Sequence, residues 1–112
     1  ANSLKAAKLN YSNQQLQLES VKKELYKEIQ QAYYNAVASQ SKFKSSGKAA
    51  ESSYKSFELT KEKYAAGKAN ITEYNQAKDK NIEAASNFIQ ARYECLFQTR
   101  LLLFYEGEEI IL

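Results

Sequence analysis

The sequence predicts an all-α protein, a long antiparallel helical hairpin of coiled-coil type. Three observations predict it. The 112 residues include no proline and only 3 glycines, so few positions can break a helix. Apolar and small residues recur at heptad spacing along most of the chain. One short stretch, Tyr64 to Glu73, gathers the stop signals of one helix and the start signals of another.

The first helix is expected from about residue 4 to about residue 63. Ile29, Ala36, Phe43, Ala50, Phe57 and Tyr64 form one column. Leu18, Leu25, Ala32, Ser39, Ser46, Ser53 and Thr60 form a second. The two interleave as the seam positions of a coiled coil do. The second column shrinks to Ala, Ser and Thr towards the turn, which lets a neighbouring helix approach closely. A third column, Tyr26, Tyr33, Gln40, Gly47 and Tyr54, lies beside the seam and widens its apolar surface. Tyr suits half-buried interfaces that leave its hydroxyl in water, so the helix is expected to touch neighbours on two sides. Gly47 costs about 1 kcal/mol relative to Ala in a helix. With no Pro or Asn beside it, the helix is expected to run through.

The turn is expected over about residues 64–70. Lys61 and Lys63 suit the negative end of a helix dipole. Gly67 suits a left-handed backbone. Asn70 reads as an N-cap with Glu73 three residues on, an Asn version of the capping box.

The second helix is expected over about residues 71–104, followed by a short tail, 105–112. Its columns are Tyr74, Asn81, Phe88, Cys95 and Leu102; Ala77, Ala84 and Ala91; and Ile82, Ile89, Leu96 and Leu103. At 1.5 Å per residue the helices would be roughly 90 Å and roughly 50 Å long. Folded about the turn, the second reaches back only to about Gln30, leaving about residues 4–30 as an overhang. Leu16, Leu18, Val21, Leu25 and Ile29 in that overhang need a partner. Either another segment covers them or the chain self-associates.

Composition excludes several functions. Net charge is +3, and opposite signs alternate within a turn or two, which is a solvated helix face and not a nucleic-acid footprint. Cys95 is the only cysteine, and there is no histidine, so neither an internal disulfide nor a zinc cluster is expected. No cluster offers a nucleophile with a base in reach, so the chain is not expected to be an enzyme or to carry a cofactor or metal. The longest apolar run, Leu101 to Tyr105, is far too short to span a bilayer as a helix. No signal peptide is expected in the chain's first residues. A start without Met reads as a segment of a larger protein, whose membrane anchor would lie elsewhere.

Several ordered elements resemble one family. They are Tyr64-x-x-Gly67, the polar cap Asn70, Ala91-Arg92-Tyr93, Leu96 and Gly107, following an Ala32–Val37 segment in a long helix. Each is unspecific alone, but the set, gapless over residues 11–107, resembles the periplasmic hairpin of the second half-repeat of TolC-like outer-membrane efflux proteins. The resemblance implies a homotrimeric outer-membrane channel whose periplasmic α-barrel includes this hairpin as one piece of the tunnel wall. It implies a periplasmic adaptor (membrane fusion) protein and an inner-membrane pump as partners. It places Tyr64, Gly67 and Lys68 at the tip that meets the adaptor and helps close the tunnel. Some members carry a gating Arg two residues after the Gly; here that position is Ala69, with Lys63 or Lys68 as candidate substitutes. The alternative reading is a free-standing coiled-coil interaction module or adaptor hairpin.

Overall fold

A computed structural model describes the backbone of residues 2–111 and side chains as far as Gly107. It contains two helices, α1 (Asn2–Ala65) and α2 (Ile71–Ile111), folded antiparallel into a rod of 97 × 22 × 13 Å. The 64 residues of α1 set that length, since at about 1.5 Å per residue they span roughly 96 Å. α1 runs through Gly47 without a break. Glycine's propensity cost there is small against the rest of so long a helix.

The expected tail after Phe104 is a correction: α2 continues through Ile111. Gly107 is followed by helix-tolerant Glu-Glu-Ile-Ile and has neither a positive φ nor a Pro beside it. A lone glycine does not stop a helix under those conditions. The longer α2 shortens the overhang as well. Leu25 is half-buried, and residues 2–24 are exposed throughout, so the uncovered stretch ends fewer than two turns earlier than the expected Gln30.

From Leu25 onward both seam columns of α1 face α2, and the Tyr74 and Ala77 columns of α2 face back. Aromatic pairs fix the axial register. The Phe43 and Phe88 rings stack, with centroids 5.3 Å apart and planes 19° apart. Phe57 meets Tyr74 at 5.5 Å. Between the rings the helices approach on small residues. Among the described residues only Ala32, Ala36, Ser39 and Ala91 are fully enclosed. Ser39 Oγ donates to Ala36 O at 2.8 Å, so its burial leaves no unpaired hydroxyl. A Cβ at Gly47 would lie 3.2 Å from Phe88 Cε1, so this glycine makes room for the ring.

The seam therefore trades buried volume for proximity. A fully buried Leu or Phe stabilises by about 1.5–3 kcal/mol, and no side chain of that size is fully enclosed here. Apart from Gly47, which faces Phe88, the large side chains of the third columns find little cover within the hairpin. Tyr26, Tyr33 and Tyr54 on α1, and Ile82, Ile89, Leu96 and Leu103 on α2, all remain exposed.

Candidate functional site

The turn between the helices is closed by backbone geometry that its sequence specifies. Gly67 adopts φ 72°, the only positive φ among the described residues. That conformation turns the chain so that the Gly67 N–H donates to Tyr64 O at 3.1 Å and the Lys68 N–H to Lys63 O at 2.7 Å. These are the two bonds of a Schellman cap, and they satisfy carbonyls that the end of α1 would otherwise leave unpaired. Ala66 N–H donates to Glu62 O at 3.0 Å. Lys63 lies in the last turn of α1, where a cation opposes the helix dipole.

The restart is equally defined. Asn70 Oδ1 accepts the Glu73 N–H at 2.8 Å, and Asn70 O accepts the Tyr74 N–H at 3.1 Å. Asn70 is thus the N-cap of α2. Glu73 occupies the first turn, where its carboxylate suits the positive end of the dipole. Five residues link the helices, and four of them take part in these bonds. The connection is a structured knob and not a loose loop.

Tyr64 sits over this knob. Its ring lies 5.2 Å from that of Tyr74, which also contacts Phe57, so three rings close the end of the seam. Tyr64 is nevertheless 42% exposed, leaving much of the ring available at the surface. Gly67 and Lys68 are exposed beside it, whereas Ala69 is half-buried. The structure thus brings Tyr64, Gly67 and Lys68 to one end of the rod, with Asn70 and Glu73 holding its shape. Sequence reasoning placed Tyr74 in a seam column and missed its part in the tip. The signal was the first seam position of α2, which in a short-turned hairpin must face the last seam position of α1.

Among the described residues no group of His, Cys, Asp and Glu could hold a metal ion. Cys95 is half-buried on the seam, in line with Phe88 and Leu102. No described helix is long and apolar enough to cross a membrane. The flank beside the turn carries a shallow polar groove of about 270 Å³, bordered by Ser56, Thr60, Lys63, Gln76 and Lys80.

Comparison with curated proteins and with solved structures finds no match. The sequence model of one family, described as outer membrane efflux protein, matches residues 1–103. That match takes in both helices, the seam and the capped turn. The chain therefore belongs to the outer membrane efflux protein family, TolC-like transport channels and not enzymes.

Proposed function

We propose that the hairpin is a length of tunnel wall in the periplasmic α-barrel of a trimeric outer-membrane channel, and that it catalyses nothing. The observation that carries this reading is the second apolar face of α2. One face is spent on α1. Away from it, Ile82, Ile89 and Leu96 are each about half exposed, and Tyr93, Phe97, Leu103 and Phe104 are more than 60% exposed. A free-standing coiled coil needs one seam and a charged back. A stave in a barrel needs a neighbour on each side.

The tip fits the contact with a periplasmic adaptor protein, itself coupled to an inner-membrane pump. A capped turn presenting Tyr64 and Lys68 at the end of a rod is a preorganised docking surface. Aromatic side chains anchor such interfaces. Closure through a guanidinium two residues after Gly67 has no counterpart here, because Ala69 is half-buried and uncharged. Lys63 and Lys68 are the cations left to that task.

Assembly tests the wall. Ile89→Glu and Leu96→Glu place charge on the second face without touching the seam. Each should leave helicity intact and abolish the channel trimer in native electrophoresis or crosslinking. Trimers formed at the normal level by both variants would overturn the reading in favour of the free-standing module.

A further inference from the structure

The grooves along the hairpin differ in the charge they offer. The one beside Asn35 and Ser39 is bordered by Lys42 and Glu94, and the one beside the turn by Lys63, Lys80 and Glu73. A third, of about 320 Å³, lies at the end of the hairpin far from the turn. Ile29 and Leu102, both half-buried, form its floor. Tyr26, Tyr33 and Tyr34 wall it on the α1 side. Among the described residues Glu106, on α2, is the only charged group that lines it. Helix geometry sets the spacing of the walls. Tyr26 and Tyr33 are two turns apart on one face, so their Cα atoms stand about 10.5 Å apart along the axis. The Tyr34 ring meets that of Tyr33 edge to face, with centroids 6.0 Å apart and planes at 70°, which makes a corner of two ring surfaces. All three rings are more than half exposed, and Glu106 has no ion-pair partner among the described residues.

We propose that this groove binds lipophilic organic cations, ring-bearing ammonium or phosphonium compounds held between the tyrosine faces and the Glu106 carboxylate. Its volume is at the small end of the range for ligand sites. The tyrosines offer large contact surfaces with few rotatable bonds. Their π faces attract a cation, which strengthens binding about two- to fivefold per exposed ring. The carboxylate at the rim attracts the same sign and repels anions. Charge is what singles out this groove. The other two present lysine ammonium groups, which repel a cation, and neither has an aromatic wall. A hydrated inorganic cation gains little here, because one carboxylate does not replace the several oxygen ligands that such an ion needs. The site is complete within one hairpin, so the proposal does not depend on the tunnel-wall reading.

The test uses two probes of the same shape and opposite charge, tetraphenylphosphonium and tetraphenylborate. Each is titrated into the chain at fixed chain concentration and followed by amide chemical shifts. Tetraphenylphosphonium should shift the amides of residues 26–34 and 102–106 along one saturable curve, and tetraphenylborate should not. Glu106→Gln should weaken phosphonium binding about threefold. Tyr33→Leu, which keeps apolar bulk without the π face, should weaken it about two- to fivefold. Glu83→Gln removes the same charge from an exposed position of α2 outside the groove and should leave the affinity unchanged. Circular dichroism checks that each variant keeps its helix content. Equal binding of the borate, or equal weakening by Glu83→Gln and Glu106→Gln, would reduce the effect to unspecific attraction and overturn the proposal. Phosphonium shifts that are absent, as when a second copy of the chain fills the groove, or that lie elsewhere on the hairpin would overturn it too.

Discussion

At the scale of single residues, the two glycines that shape the hairpin act for different reasons. Gly67 has open space around an added Cβ, so no neighbour demands a glycine. Its φ of 72° does, because L side chains clash with their own backbone there. Gly47 is the reverse: an ordinary helical backbone with Phe88 filling the place of its side chain. Gly67→Val should therefore destabilise by about 2 kcal/mol, through backbone strain made worse by β-branching. Gly67→Asn should cost much less, because Asn tolerates the left-handed region. Thermal unfolding of the two variants checks the order, and the proposed docking role adds that Val should weaken adaptor capture more than Asn. Equal stability of the two would mean that the cap does not depend on this φ.

At the scale of the helices, the seam was legible in the sequence and its consequences were only partly so. Heptad columns gave the correct facing residues on both helices, because a column states which side of a helix is apolar. Columns do not state axial register. That is why the contact of Tyr64 with Tyr74 follows from the short turn and not from the columns themselves. The same limit hid Gln98, which continues the Ala77, Ala84, Ala91 column as a polar residue and is half-buried with it. The expected end of α2 at Phe104 fell short because the helix runs on through Gly107, and termination is a property of the cap and not of glycine alone. The small residues that pass unnoticed in a hydropathy profile set the closest approach of the helices. Ala91, 2% exposed and at the centre of the seam, is the sharpest case. Ala91→Leu adds three carbons where the backbones are nearest. It should push the helices apart and destabilise by about 1–3 kcal/mol despite its greater hydrophobicity. A denaturant midpoint equal to or above that of the unmodified chain would show that the seam has slack there.

At the scale of the whole molecule, the rod has too much surface for its mass. It exposes 9077 Å², where a compact 12.8 kDa protein would expose about 6300 Å². Its radius of gyration is 26.5 Å against about 13 Å for a compact domain of this length. Burial is therefore too small to offset the conformational entropy of so many ordered residues with a comfortable margin. The shortfall is greatest in residues 2–24, where Leu4, Leu9, Tyr11, Leu16, Leu18 and Val21 are all exposed and α2 offers no cover. A helix of that length is marginal in water by itself. A net charge of +3 is too small to keep copies apart. The isolated chain should thus fray from its first residues at low concentration and gain helix content as it self-associates. Hydrogen exchange across a dilution series separates the two regimes. Residues 2–24 should exchange within the dead time when dilute and slow markedly when concentrated, while amides near Phe43 and Phe88 stay protected in both. Sedimentation showing a monomer at every concentration, with residues 2–24 as protected as the Phe43–Phe88 region, would mean that α1 is stable without a neighbour. The second apolar surface would then owe nothing to a need for partners.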